Sequence, residues 1–437
     1  MNLESIVRRC VLAWCATLPL ACCCFANPAA AEDAPTAFHL DGEPSIEVGL
    51  VWDADTLNLS GIKKPLTWRI GRGHDRATGR SSVLRVQCSS EGAVLRQEDD
   101  RPPTARLTTR DTLWLGEPQD GQQYVEPQLT WKAKTWRGQA KVFVNARGTL
   151  TMALRLPLEA YLMGVVPGEI GALSDALLEA GRAQAVAARS YTMFYRGRRG
   201  AEGFDVYATV EDQVYGPLEG ERPLATRCVQ TTRGQLALYD ETPIRANYYS
   251  TCGGMSADVW EAFPAAGMPY LKSTPDRGAT EDYCAHSPQY RWREEWVAND
   301  FLDMVTRFAP PEGVRMPSQS LGHLLDVRVV SRSRSARVWR LDVETTAGTL
   351  SIPAYSLRRV LRRPGEAHPI LRSNFFKIDV RRDPETHRAL YVVASGAGSG
   401  HGVGLCQTGA LGRARDGQTG EQILEHYYPG ATVRRAY

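Results

Sequence analysis

The 437-residue sequence predicts an α+β fold, strand-rich with a few packed helices, its core built from discontinuous segments with accessory β-rich regions. Three observations predict it. Short runs of β-type residues, broken by Gly, Asn and Pro, dominate the chain up to about residue 155. Helical patterning is confined to a few stretches, and the regular strand-helix alternation of a doubly wound sheet is missing. Hydrophobic residues at 43% and charged residues at 23% are ordinary globular values, which sets aside disorder, collagen and coiled coil. Lys and Arg number 52 against 49 Asp and Glu, and a net +3 gives no reason to expect a nucleic-acid partner.

Taken in order, residues 1–31 read as a signal peptide. Arg8 and Arg9 precede an apolar run from Cys10 to Ala26, and Ala29-Ala30-Ala31 supplies a small-x-small cleavage pattern. The protein is therefore expected to be exported, to the periplasm or cell envelope; a lipid anchor at Cys22 is the rival reading. No later stretch approaches the ~18 apolar residues of a spanning helix, so no transmembrane segment is expected in the mature chain. Cys88, Cys228, Cys252, Cys284 and Cys406 remain after the leader, an odd number that leaves at least one thiol unpaired in an oxidising compartment.

Residues 32–134 form a strand-rich N-terminal region, with a charged, turn-rich loop or insertion at about 97–122. Residues 135–290 form the first part of a core. There, Val142-Phe143-Val144 and Leu150 to Leu154 read as strands, and an apolar segment from 158 to 166 ends at Pro167-Gly168. Ser174-Asp175 offers N-cap chemistry for an alanine-rich helix running to about Arg196, and residues 205 to 270 return to strands and turns. Residues 291–390 read as a mixed α/β insertion, with a helix near 298–308 and strands at 325–330 and 339–343. Residues 391–437 complete the core with a glycine-rich loop and a tail helix. Thr419 and Gln422 make a capping box for that helix, which must stop before Pro429-Gly430.

Three constellations carry chemistry. Glu169 lies on the turn after Pro167-Gly168, flanked by apolar residues and glycines; poor solvation there raises a carboxyl pKa, as a general acid near neutral pH requires. Gly396 to Gln407 pairs His401 with bare backbone suited to close approach and positive φ, and matches neither a dinucleotide fingerprint nor a P-loop. Cys252, Cys284 and His286 are zinc ligands by type, yet no Cys-x-x-Cys pair exists, and a Cys252–Cys284 disulfide fits equally well. A cysteine nucleophile at Cys252 or Cys406 matches no local signature.

These pieces together resemble the SpoIID/LytB family, named for stage II sporulation protein D and the amidase enhancer LytB. The resemblance rests on Tyr161-Leu162-x-Gly164-Val165-Val166-x-x-Glu169, on Ala183 to Tyr191, and on Asp212-Gln213-Val214-Tyr215-Gly216. It continues through Tyr249-Ser250-x-Cys252-Gly253-Gly254, Gly400 to Ala410 and Tyr427-Tyr428-Pro429-Gly430, in family order across about residues 160 to 430. It implies cleavage of peptide-stripped bacterial glycan strands by a lytic transglycosylase, with Glu169 as the one catalytic acid. It also implies hydrogen-bonding roles around the cleft for Gln213, Tyr215, Ser250, His401 and Gln407, while Gln184 and Arg189 read as internal brackets. The alternative is a non-catalytic, glycan-binding enhancer of a cell-wall amidase. No cofactor is required. Some related proteins hold zinc and often have histidine where this chain has Tyr249, which leaves Cys252, Cys284 and His286 as the candidates for a structural ion.

Overall fold

The computed structural model describes residues 38–437 apart from 73, 98–102, 123–124, 366 and 368. The expected signal peptide and the anchor alternative at Cys22 lie outside the described residues. Strands make up 37% and helices 23%, an α+β fold as the sequence predicts.

Two antiparallel-dominated sheets form the N-terminal part. The seven-stranded sheet runs in the order Val206–Tyr207, Ser45–Ala54, Leu150–Pro157, Gln139–Val144, Thr112–Leu115, Leu66–Arg72 and His74–Ser81. The six-stranded sheet runs Lys134–Arg137, Pro127–Trp131, Thr56–Gly61, Val83–Ser89, Gly92–Gln97 and Ala105–Leu107. Alternating side chains such as Leu57 and Leu59, Leu113 and Leu115, and Val142 and Val144 enter one shared core, the period of two expected of half-buried strands. The stretch expected as a loop at 97–122 therefore contains two strands, and Thr112–Leu115 lies inside the larger sheet. Its short alternation of Leu113 and Leu115, both fully buried, outweighs the surrounding charge.

Pro157 ends the strand Leu150–Pro157, and the chain passes directly into helix α1 (Leu158–Ile170). α1 continues through Pro167 and Gly168, so Glu169 sits in its last turn and not on the turn the sequence suggested. A proline that late costs little more than one N–H bond, and Gly171, at φ 79°, ends the helix instead. A 3₁₀ turn at Asp175–Leu177 leads into α2 (Leu178–Tyr195), and the Ser174 side chain makes no cap bond. The small residues of α2, Ala180, Ala183, Ala187 and Ala188, are fully buried. Around α2 pack α1, the unanticipated α3 (Pro223–Thr231), and, once the chain returns, α7 (Gln407–Arg415) and α8 (Gly420–Tyr427). Both bonds of the Thr419–Gln422 capping box form.

A short α4 (Val259–Ala262) precedes a second apolar cluster built from the inserted segment. That segment holds α5 (Ala298–Phe308), α6 (Ala354–Val360) and two three-stranded sheets, and it buries Phe301, Val305, Leu341, Leu357 and Phe376 among others. Its first strand, Arg291–Val297, pairs antiparallel with its last, Ala389–Ala397, with Arg291 opposite Ala397. The chain leaves and returns at one place. Among the described residues no single helix is long and apolar enough to cross a membrane; α1 and α2 qualify only as a pair bent by 99°.

Candidate active site

The returning chain is threaded onto the segment that precedes the insertion. Tyr248 and Tyr249 pair in parallel with Leu405 and Cys406. Thr251 and Ser399 exchange backbone hydrogen bonds of 3.0 and 2.8 Å, and Ala257 N–H donates to Gly402 O at 2.7 Å. The glycines of the His401 loop serve this seam. Gly404 has φ 76°, and a Cβ there would lie 2.0 Å from Asn247 O. Close approach was expected to admit a ligand; here Gly400, Gly402 and Gly404 admit Tyr249, Arg337 and Asn247 of the protein itself.

Beside the seam opens a cleft of about 540 Å³ lined by Glu169, Ser250, His401 and Gln407, four of the residues singled out in the sequence. Glu169 Oε1 accepts the Val214 N–H at 2.8 Å and Oε2 accepts the Gln407 amide at 3.2 Å. Burial pushes its carboxyl above the usual range, and the bonds from Val214, Gln407 and the Tyr248 hydroxyl only partly offset it. The loop that supplies Val214 lies against α1 because position 164 is glycine. A Cβ at Gly164 would meet the Tyr215 ring at 2.6 Å and Gly216 O at 2.8 Å, and Gly216 N–H donates to Gly164 O at 3.2 Å.

Gln213 and Tyr215 are interior groups, contrary to the expectation that they face substrate. Gln213 Nε2 donates to Ala188 O at 3.1 Å and Tyr248 Oη at 3.0 Å, while Oε1 accepts from Tyr161 at 2.9 Å and Thr192 at 2.7 Å. An amide with all four positions used has none left for a sugar. The Tyr215 ring packs between Trp136 and Tyr161, at 5.8 and 5.2 Å between centroids. The sequence reading passed over Tyr248, which links this network to Glu169; its neighbour Tyr249 carries the motif, and nothing local distinguishes the pair.

His401 stands between the Tyr249 and Phe263 rings, its Nδ1 accepting the Val403 N–H at 3.0 Å. Burial, followed by the charge of Arg358, pushes it down to about 3, so the ring is neutral at any physiological pH. Ser250 lines the same wall, with Oγ 3.3 Å from Thr251 Oγ1. Arg245 and Arg358 also line the cleft; Arg245 donates to Asn247 Oδ1 at 2.9 Å and Arg358 to Leu371 O at 2.8 Å. A second cavity, of about 450 Å³ along Trp292, Phe375 and Phe376, has Arg291, Arg332 and Lys377 in its lining but, among the described residues, no carboxylate.

On the other side of the seam the metal candidates are rearranged. His286 is exposed and stands apart. Ligand atoms of Cys252, Asp276, Cys284 and Cys406, all buried, lie within 4.8 Å of one another. The Cys252 and Cys284 sulfurs are 3.3 Å apart, well beyond a disulfide's ~2.05 Å, and both cysteines are free. Hydrogen bonds with Cys252 and Cys406 push the Cys284 thiol down, whereas burial pushes those two up. The Tyr249 hydroxyl, buried without a hydrogen-bond partner among the described residues, feels Cys252 and Cys406 as its strongest charged neighbours. Three sulfurs, a carboxylate and an orphaned hydroxyl fit a structural ion.

Arg189, by contrast, is an internal bracket as the sequence predicts. It donates to both oxygens of Glu159, at 2.9 and 2.6 Å, and is itself fully buried. Among the described residues the buried Gln184 amide has no hydrogen-bond partner, and nothing in the structure explains it.

Residues 146–239, which carry Glu169, match the model of the family described as SpoIID, stage II sporulation protein; residues 278–404 match a domain of unknown function, DUF8618. An uncharacterised protein of Brachyspira hyodysenteriae is 26% identical over 294 residues, 67% of this chain and 70% of its own. The stage II sporulation protein D of Bacillus subtilis is 26% identical over 296 residues, 64% of this chain and 75% of its own. The amidase enhancer of Bacillus subtilis is 27% identical over 314 residues, 62% of this chain but 40% of that protein. These matches bear out the resemblance read from the motifs: residues 146–239 of this chain are similar to the SpoIID family over the stretch that carries Glu169.

Proposed function

We propose that the protein is an exported lytic transglycosylase of the bacterial cell wall. It cleaves the bond between N-acetylmuramic acid and N-acetylglucosamine in peptide-stripped glycan strands and leaves 1,6-anhydro-muramyl ends. One observation carries this reading: the Glu169 carboxyl, lifted by burial and held by Val214 and Gln407, faces a cleft beside the His401 loop.

Glu169 in its acid form gives its proton to the glycosidic oxygen as the bond to the muramyl anomeric carbon breaks. The carboxylate left behind takes the proton of the muramyl 6-hydroxyl as that oxygen closes on the same carbon. Glu169 ends protonated, no water is consumed, and the bond count balances. Glycosidases that use water or a covalent intermediate need a second carboxylate. The cleft's other acids fit that role poorly, since Glu211 is exposed and Asp212 is ion-paired with Arg198 and Arg199. The Val214 N–H and Gln407 amide hold the carboxylate for its second role. Arg245 and Arg358 suit the lactyl carboxylate that muramic acid exposes once its stem peptide is gone. His401, kept neutral, shapes the wall and moves no proton.

The relative named amidase enhancer favours a second reading, in which the chain binds glycan strands without cutting them and stimulates a cell-wall amidase. Peptide-stripped glycan incubated with the purified protein and analysed by mass spectrometry separates the two. New 1,6-anhydro-muramyl ends, absent with Glu169→Gln, support the enzyme. Strand binding with no new ends overturns it and leaves the enhancer.

A further inference from the structure

We infer that Cys252, Cys284, Cys406 and Asp276 form a site for a thiophilic divalent cation, zinc by its chemistry, which staples the seam beneath the cleft. The inference stands on the geometry of the seam and is independent of the reaction proposed for Glu169. Three donors from one stretch, Cys252, Asp276 and Cys284, and a fourth from the returning chain, Cys406, converge within 4.8 Å, with Cys252 Sγ 3.3 Å from Cys284 Sγ and 3.2 Å from Asp276 Oδ2. Tetrahedral zinc at its usual bond lengths of about 2.3 Å to sulfur and 2.0–2.2 Å to oxygen spaces its ligands by about 3.5–3.8 Å, so the two short pairs need to part slightly and any wider pair, none beyond 4.8 Å, to draw in.

Backbone N–H groups are aimed at two of the sulfurs. Cys406 Sγ accepts backbone N–H bonds from Cys252 at 3.1 Å and Gly409 at 3.2 Å, and Cys252 Sγ accepts one from Gly254 at 3.3 Å. Asp276 is oriented as ligating carboxylates are: Arg413 donates to Oδ1 at 2.9 and 3.1 Å, and the Tyr427 hydroxyl donates from 2.9 Å. Three thiolates and one carboxylate around a divalent ion carry a net 2−; Arg413 offsets one unit, and the N–H groups disperse the rest. A disulfide would use only two of the sulfurs and leave the third buried beside a carboxylate. Thiolates select zinc over magnesium or calcium, and the exposed His286 contributes nothing.

The ion would act on the cleft by position. Cys406 caps the N-terminus of α7, and the next residue is Gln407, whose amide holds Glu169. Fixing Cys406 to Cys252 and Cys284 fixes where that amide points.

The test uses the full chain, purified under reducing conditions with zinc and, separately, with cobalt. Elemental analysis is expected to give about one zinc per chain, and the cobalt form to show thiolate charge-transfer and tetrahedral ligand-field absorption. Cys406→Ser, checked for folding by circular dichroism, should lose at least tenfold in zinc affinity and weaken the charge-transfer band. His286→Ala and Cys88→Ser should leave both unchanged. Three results overturn the inference: no metal bound by the reduced native chain, a Cys252–Cys284 disulfide found by peptide mapping of the chain as exported, or metal lost in His286→Ala. None of the three depends on whether Cys406→Ser folds, and none bears on strand cleavage.

Discussion

Gln407 and Tyr248 each donate to Glu169, and a donor to a carboxylate favours its charged form. Gln407→Leu should therefore lift the Glu169 pKa further. A general acid works while protonated, so activity falls as pH climbs through the folded-state value; the alkaline limb of the pH–rate profile should move to higher pH in the variant. Glu169→Gln should cost about 10²–10⁴ in rate, the usual share of general acid-base catalysis. The same substitution affects stability with a sign that burial sets. Because the folded protein holds the Glu169 proton more tightly than the unfolded chain, this stabilising term is complete below the ordinary value of 4.5 and is lost as pH rises through the raised one. Glu169→Gln, with the Gln407 amide turned over to accept, should gain about 0.5–2 kcal/mol at pH 8 and much less at pH 4, read by denaturant titration at both. Glu169 was legible as a lone acid between glycines in an apolar run. Gln213 was misread because an amide that binds sugar and one that binds Tyr161, Thr192 and Tyr248 look alike until the neighbours are in place.

Two elements depend on contacts that can be cut singly. α2 is tied to α1 by Arg189 and Glu159, whose carboxyl is raised by burial but held lower on balance by Arg189, Tyr437 and Gly234. Arg189→Ala strands a buried carboxylate and should cost about 3–5 kcal/mol, whereas Arg189→Met with Glu159→Leu should recover most of it. A lowered carboxyl stabilises above its unfolded value and ceases to do so as pH falls through the folded one, so the native protein should lose more stability on acidification than the double variant. Gly164→Ala is expected to cost about 1–3 kcal/mol by overpacking against Tyr215 and Gly216. It should also reduce activity beyond that loss, because the displaced loop carries Val214 N–H away from Glu169; melting curves and initial rates on one preparation check both. The helices announced by length and caps, α2, α5 and α8, were readable in the sequence. α3 was not, at nine residues among turn-forming neighbours, nor was the strand Thr112–Leu115, whose four residues are only defined by the strands on either side.

At the scale of the molecule, the cleft has a floor from the segment at residues 158–250 and a wall from the inserted one, through Arg358 and Ile370. If that wall reads an acidic group on the sugar, Arg358→Ala should raise KM about tenfold or more while leaving kcat nearly unchanged, as loss of one charged hydrogen bond predicts. The inserted segment was visible in the sequence as a change of texture, but its relation to the site was not: residues 284 and 406 are far apart along the chain, and only the pairing of Arg291 with Ala397 shows that they must meet.

That pairing has a consequence for descent. A detour that departs and rejoins through adjacent strands can be lengthened, trimmed or exchanged without displacing what lies at its root. Lineages sharing this hearth are free to rebuild the canopy above it, and so to change which strands are admitted while the chemistry at Glu169 stays as it was.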